Sequence, residues 1–170
     1  MINRKNLVVP EFYQGYVNAL TDDELMPALQ NNAQAFAHFL RSIPSGKIDY
    51  AYAPGKWTIR QLLQHVLDAE RVFVYRAMTF ARKDATHLPG FDENAWAEST
   101  YSMQRNWDDM IREFVALRDA TMLFFASLDQ DQLLQTGTAN KAVMSVATLG
   151  FICAGHVAHH MRVMKERYLG

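Results

Sequence analysis

Apolar side chains recur every three to four residues along four long segments of this 170-residue chain, and that spacing restricts the folds it can adopt. A period of this kind places the apolar residues on one face of an α-helix. No segment shows the clean alternation of apolar and polar residues that marks a half-buried strand. Four amphipathic helices of roughly 20 residues each, joined by three loops, predict an all-α four-helix bundle.

Capping residues and helix breakers set the expected bounds of these helices. We expect the first long helix to start at Thr21, with Glu24 completing a capping box, and to end near Ser42. A second capping box joins Thr58 to Gln61 at the start of the second long helix. The remaining predictions are a short leading helix at 10–20, long helices at 59–81, 102–128 and 145–169, and loops at 44–57, 82–101 and 129–144.

Composition excludes several classes of protein. The formal net charge is -1, from 17 Lys+Arg and 18 Asp+Glu, and the basic residues are scattered, which argues against a nucleic-acid partner. Because Cys153 is the only cysteine, no disulfide can form within the chain, which favours the reducing cytoplasm. The first ten residues lack the apolar run of a signal peptide, and no apolar run reaches the roughly 18 residues of a membrane span. We expect one cytoplasmic domain, residues 1–170, without a membrane partner.

Histidines are the first candidates for chemistry in this sequence. His156 and His160 are four residues apart on the predicted last helix, and side chains with that spacing share a face. Two such imidazoles can bind one metal ion, as in the zincin helix, but two ligands hold it weakly. A third ligand should come from a facing helix, where His65 lies in the apolar stripe of the second long helix. These three residues predict a site for a divalent metal ion.

The other histidines are weaker candidates. His159 lies about 100° around the helix from both members of the pair and should point elsewhere. His38 lies near the apolar stripe of the first long helix and is a reserve ligand, while His87 falls in a loop. The alternative for each histidine, the three preferred ones included, is a packed core residue that binds no metal.

Two further residues near the predicted triad have a possible role in the pocket. Asp68 follows His65 by three residues and could orient an imidazole by accepting its hydrogen bond, ahead of Glu70 and Asp92 as candidates. Cys153 lies about one turn before the histidine pair and could line the pocket. The alternative for Cys153 is a small buried thiol.

Several motifs resemble those of the DinB/YfiT-like metalloenzyme family, in the expected order and over nearly the whole chain. They are PGKWTI at 54–59, QLLQHVLDAE at 61–70, LPGFDE at 88–93, Leu-Arg at 117–118 and GHVAHH at 155–160. The resemblance implies an up-down-down-up four-helix bundle with a metal ion near one end. By motif position it implies His65, His156 and His160 as the ligands, and nickel or zinc as the metal.

The resemblance also implies a range of functions. Relatives include S-transferases that use a low-molecular-weight thiol, and dimers are common among them. We therefore expect a metal-dependent enzyme that acts on a small molecule, with thiol-dependent S-transfer preferred. A metal-dependent hydrolase, a non-catalytic metal-binding stress-response protein and a helical dimerisation module are the alternatives.

Arg118 stands in the apolar stripe of the third long helix, where a charge is unexpected. With Lys56 it could bind the carboxylates of a thiol cofactor. The alternative for Arg118 is a buried salt bridge with a carboxylate such as Glu70.

Overall fold

The computed structural model describes residues 2–170, which form eight α-helices and one β-hairpin. In chain order the elements are α1 (Glu11–Asn18), α2 (Leu25–Ser42), α3 (Ser45–Ile48), α4 (Ile59–Ala81), α5 (Glu93–Ser99), α6 (Trp107–Ala126), α7 (Gln130–Leu134), β1 (Thr136–Ala139), β2 (Ala142–Ser145) and α8 (Val146–Met164). Short 3-10 turns occur at Arg4–Asn6 and Ser102–Gln104, and a π-helical turn at Lys165–Leu169 continues α8. The four long helices α2, α4, α6 and α8 form the expected bundle, and α1 is the expected leading helix.

The buried residues show the direction of each long helix. One apolar cluster combines the first turns of α2 and α8 with the last turns of α4 and α6, as Leu29 and Phe80 illustrate. The second cluster contains the opposite ends of the same helices, including Leu40 and Leu63. Helices α2 and α8 therefore run one way and α4 and α6 the other. This is the up-down-down-up order that the family resemblance implies.

The long connection between α4 and α6 follows from this order. The two helices are parallel neighbours, so residues 82–106 must return along the length of the bundle. The segment contains α5, which the sequence interpretation missed. Asp92 caps α5 by accepting hydrogen bonds from the backbone N–H groups of Asn94 (3.0 Å) and Ala95 (3.1 Å). Asp92 is thus used as a helix cap and does not orient an imidazole.

Two of the predicted helix starts are confirmed by their hydrogen bonds. At α4 the Thr58 hydroxyl accepts from the Gln61 N–H (3.2 Å), and the Gln61 side-chain oxygen accepts from the Thr58 N–H (2.8 Å). At α8 the Ser145 hydroxyl accepts from the Thr148 N–H at 3.0 Å. Both caps depend only on residues within one turn, and so they could be predicted from the sequence.

The predicted capping box at Thr21 is wrong. Helix α2 begins at Leu25, and Glu24 is its N-cap residue without a side-chain capping bond. Glu24 forms an antiparallel bridge with Asn3, which holds it in an extended conformation. A start at Leu25 also keeps Pro27 in the first turn, where the missing N–H of proline costs no helical hydrogen bond.

The third long helix is shorter than the predicted 102–128. Asn106 caps α6 by accepting from the Asp109 N–H (3.1 Å), and so the helix begins at Trp107. The residues before this cap form the 3-10 turn and not the first turn of α6.

A β-hairpin replaces most of the polar connection predicted at 129–144. Strands β1 and β2 pair antiparallel around Asn140 and Lys141, whose φ angles of 49° and 63° fit a two-residue type I′ turn. The turn is fixed to the α4–α6 connection, because the Asn140 N–H donates to the Leu88 carbonyl and the Leu88 N–H donates to the Thr138 carbonyl, both at 3.0 Å. The hairpin therefore determines where residues 88–90 lie. No helix among residues 2–170 has both the length and the apolar character needed to cross a membrane.

Gly155 allows α1 to pack directly on α8. A Cβ atom at this position would overlap the backbone carbonyl of Tyr16. We expect Gly155→Ala to lower the free energy of unfolding, measured by urea denaturation, by about 1–3 kcal/mol, as other overpacked sites do. Gly15→Ala is the matched control, since nothing lies within 4 Å of its added Cβ, and it should stabilise α1 by up to about 1 kcal/mol. Equal stabilisation by both substitutions would contradict the close packing of α1 on α8.

Candidate metal centre

Three imidazoles from two neighbouring helices converge within the bundle. The Nε2 atom of His156 lies 3.0 Å from the Nε2 of His65 and 3.0 Å from the Nε2 of His160. All three ligand atoms lie within 4.8 Å of one another. His156 and His160 are almost fully buried, and His65 is half-buried. The antiparallel packing of α4 on α8 thus brings His65 to the pair on α8.

The three imidazoles are neutral at neutral pH. Burial, with a smaller contribution from His159, lowers the pKa of His65 to about 4. Burial and the neighbouring imidazoles lower the pKa of His156 and of His160 well below the ordinary value. Each neutral ring has one N–H and one nitrogen lone pair, so without an ion the two short Nε2 contacts of His156 would have to share its single Nε2 lone pair or its single N–H.

This set of donors fits a divalent metal ion. Neutral imidazole nitrogen is a preferred ligand for zinc, nickel and other transition metals. Ligand nitrogens about 2.0–2.1 Å from one zinc ion lie roughly 3 Å apart when they are adjacent in the coordination shell, which agrees with both observed separations. An ion at this position would take one lone pair from each ring, so that His156 would not have to share one lone pair or one N–H between two neighbours.

Aromatic rings surround the three imidazoles. The Trp57 ring centroid lies 5.0 Å from that of His65, and the centroids of Tyr16 and Phe73 lie 5.5 Å and 5.6 Å from that of His156. These contacts hold the ligand rings in place. Tyr16 was missed by the sequence interpretation, because it lies on α1 and reaches His156 only through the close approach of α1 and α8.

The remaining histidines lie outside the triad. His38 and His87 are exposed, so the reserve ligand on α2 is not brought to the site. The half-buried His159 packs 4.9 Å from the Tyr16 ring and 5.0 Å from the His160 ring, beside the converging nitrogens. The expectation that His159 points elsewhere agrees with this position.

Asp68 does not take the expected place beside an imidazole. Its carboxylate accepts a hydrogen bond from the Gln64 amide (3.0 Å) and lies 3.9 Å from Arg71. Burial raises the pKa of Asp68, and the Gln64 hydrogen bond opposes this shift. Among the described residues, Nδ1 of His160 is buried without a hydrogen-bond partner. The expected orientation of a ligand by Asp68 is therefore not seen.

Arg118 forms the buried salt bridge that was the alternative to anion binding. Its Nε and Nη2 atoms donate to the two oxygens of Glu70, both at 2.8 Å, and its Nη1 donates to the Leu29 carbonyl at 3.1 Å. Glu70 also accepts from the Thr121 hydroxyl at 2.8 Å. Arg118 is completely buried and its charge is used inside the bundle.

The thiol of Cys153 is buried, which agrees with the alternative interpretation of this residue as a small buried thiol. Burial raises the pKa of this thiol well above its usual value, and the nearby Glu70 adds to the effect. A buried protonated thiol is a poor nucleophile and a poor metal ligand.

Lys56, by contrast, is exposed, and it borders a cleft that reaches Trp57, His159 and His160.

A second cleft, which we call the aromatic cavity, reaches His65 and His156. Its aromatic walls come from α1, α4 and the α4–α6 connection, and they consist of Phe12, Tyr13, Tyr16, Phe73 and Phe91. Three polar side chains also line it, namely Arg76, Glu93 and Asn140. The aromatic cavity, with a volume of about 80 Å³, thus has two of the three imidazoles in its wall.

The fold and the triad together define a four-helix bundle with a histidine site between two of its long helices. Residues 28–164 match the family model of the DinB superfamily, and the chain belongs to this superfamily. The family that the sequence motifs suggested is therefore confirmed.

Two curated relatives are similar in sequence to parts of the chain. A protein of Bacillus mycoides named "Putative metal-dependent hydrolase" is 26% identical over 98 residues, which cover 55% of this chain and 56% of that protein. A protein of Bacillus pumilus with the same name is 24% identical over 135 residues, which cover 72% of this chain and 63% of that protein. The matched regions thus span less than two thirds of either relative.

One solved structure has a similar fold over nearly the whole chain. It is described as "YfiT from Bacillus subtilis is a probable metal-dependent hydrolase with an unusual four-helix bundle topology". The TM-score is 0.64 with 17% sequence identity, and the match covers 94% of this chain and 89% of YfiT. At this identity the likeness shows a shared four-helix-bundle fold.

Proposed function

We propose that this chain is a metal-dependent hydrolase of a small molecule, in which His65, His156 and His160 bind a divalent ion. The observation that carries the proposal is the convergence of three buried, neutral imidazole nitrogens beside the aromatic cavity. Both zinc and nickel suit three imidazole ligands, and we propose one of these two metals.

The ligand count supports a catalytic role for the ion. Structural zinc sites have four protein ligands, whereas catalytic sites have three and leave a position open. Among the described residues, the group of ligand atoms at this site comprises the three histidines alone. A bound ion would supply an activated water or polarise a carbonyl group of the substrate.

Two residues of the aromatic cavity could handle protons during hydrolysis. Burial, followed by the negative charge of Glu93, raises the pKa of Tyr16, so its phenol stays protonated and can donate a hydrogen bond. Glu93 is exposed and lines the same cavity, where its carboxylate can accept a hydrogen bond. The phenol and the carboxylate therefore supply a donor and an acceptor near His156 and His65.

Hydrolysis is preferred over thiol transfer for two reasons. The curated relatives are named as metal-dependent hydrolases, and Arg118, one of the two anion-binding candidates for a thiol cofactor, is held by Glu70. Thiol-dependent S-transfer is the second candidate, supported by the exposed Lys56 beside the cleft that reaches His160. For either reaction we propose a small-molecule substrate, a cytoplasmic location and a homodimer.

A paired activity assay tests the proposal. Purified protein loaded with zinc or nickel is given a panel of p-nitrophenyl esters and anilides, and in parallel glutathione with 1-chloro-2,4-dinitrobenzene. We expect ester or amide hydrolysis that a chelator removes, that His156→Ala lacks and that His159→Ala retains. Metal-dependent thiol conjugation without hydrolysis would contradict hydrolysis and favour the transferase. Bound metal with neither activity would favour a non-catalytic metal-binding protein.

A further inference from the structure

Arg76 is a buried cation on the wall of the aromatic cavity. It lies on α4 and is 2% exposed. His65, Ala69 and Phe73 line the same cavity at intervals of four residues, and Arg76 continues this face of the helix by a further turn. The cavity therefore has a histidine of the candidate metal centre toward one end and a guanidinium toward the other.

The charge of Arg76 is not neutralised by the protein. Among residues 2–170, its one side-chain hydrogen bond runs from Nη2 to the Pro89 carbonyl at 2.8 Å, and no carboxylate lies within ion-pair distance of it. Glu93 lines the same cavity but makes no ion pair with it. Arg118, the other fully buried arginine of the bundle, has both oxygens of Glu70 and two backbone carbonyls as acceptors.

An isolated buried guanidinium is costly, and its geometry indicates what would relieve the cost. A guanidinium has five N–H donors in one plane, of which the protein uses one in the case of Arg76. Removal of a cation from water is unfavourable unless an anion pairs with it. Carboxylates and phosphates match two parallel N–H donors, and such bidentate pairs are among the strongest hydrogen bonds in proteins.

We infer that Arg76 binds the anionic group, a carboxylate or a phosphate, of the small molecule that occupies the aromatic cavity. The inference rests on the proposed function in one respect, since it takes that molecule to be the substrate. Phe73 and Phe91 would cover its apolar part. His65 and Arg76 are about three helical turns apart on α4, so the anionic group and the reacting group are different parts of the ligand.

The hairpin supports this site from the other side. Its turn holds the segment that carries Pro89, through the bonds between Asn140 and Leu88, and Asn140 itself lines the cavity. A merely structural role would have Arg76 tie this segment to α4 through the Pro89 carbonyl. Such a role would affect stability but would not make the protein discriminate between charged and neutral ligands.

Binding of three matched probes tests the inference. Benzoate, phenylphosphonate and the neutral benzamide are titrated into the metal-free 170-residue chain and followed by NMR. We expect the metal-free wild type to bind one of the two anions at least about tenfold more tightly than benzamide, the gain that one charge-assisted pair provides. The stronger of the two anions identifies the carboxylate or the phosphate as the ligand group.

Variants assign the discrimination to one side chain. Arg76→Gln should reduce anion binding to the level of benzamide, Arg76→Lys should restore part of it, and the exposed Arg112→Gln should leave it unchanged. Equal binding of the anions and benzamide by the wild type would overturn the inference, even if Arg76→Gln failed to fold. Anion binding unchanged by Arg76→Gln would overturn it as well. Because the metal-free protein is used, absence of hydrolysis or of bound metal leaves this result unaffected.

Discussion

His156→Ala should abolish stoichiometric metal binding, whereas the wild type should retain about one divalent ion per chain. His156 is the central member of the triad, because its Nε2 is 3.0 Å from those of both His65 and His160. Its removal leaves one ligand on each helix. Loss of a residue that only supports a ligand costs about 10–100-fold in metal affinity, and loss of the ligand itself should cost more than 100-fold. Elemental analysis and competition with a chromophoric chelator measure both quantities.

His159→Ala is the matched control for this experiment. It removes an imidazole from the same turn of α8 that packs beside the triad without joining it. The control should bind zinc or nickel as the wild type does, and far-UV circular dichroism should show that both variants fold. A wild type that takes up neither metal would contradict the candidate site and would favour histidines that only pack between helices. Equal losses in both variants would argue against the assignment of His156 as a ligand.

The triad could be predicted because few local facts determine it. Helical periodicity places His156 and His160 on one face, and an apolar stripe places His65 toward a neighbouring helix. The family resemblance then implied the same three residues by motif position.

The walls of the aromatic cavity could not be predicted in the same way. Tyr16 reaches His156 through α1, and Asn140 reaches the aromatic cavity through a hairpin that the apolar pattern did not reveal. Strands of four residues are held by their turn and by contacts to residues distant in sequence, such as the bonds to Leu88. One local signal existed, since Asn140 is a residue type that tolerates a positive φ. Arg76 gave no such signal in the sequence, because its lack of an ion-pair partner is evident only in the folded chain.

Arg118→Met should lower the free energy of unfolding by about 3–5 kcal/mol, the usual cost of breaking a buried ion pair on one side. The substitution would leave Glu70, which is 2% exposed, without its bidentate partner. Burial lowers the pKa of Arg118, but the charge and hydrogen bonds of Glu70 outweigh this effect and raise it, so the guanidinium remains charged. Urea denaturation followed by circular dichroism gives the change, and the exposed Arg112→Gln is a control that should have no measurable effect.

The double variant Arg118→Met, Glu70→Leu separates the cost of an orphaned charge from the value of the pair. Apolar residues of similar size often replace a buried ion pair at little cost, and so the double variant should recover most of the stability that the single variant loses.

Arg118 on α6 also contacts the other three long helices, through Glu70 on α4, Leu29 on α2 and the Cys153 carbonyl on α8 at 3.3 Å. The Cys153 contact lies about one turn before His156, so loss of the arginine removes a bond that fixes α8 near the candidate ligands. If this bond helps to position α8, the double variant should be stable yet bind zinc more weakly than the wild type. A double variant as unstable as the single one would show that the arginine's bonds to the backbone carbonyls, and not its pairing with Glu70, dominate its contribution.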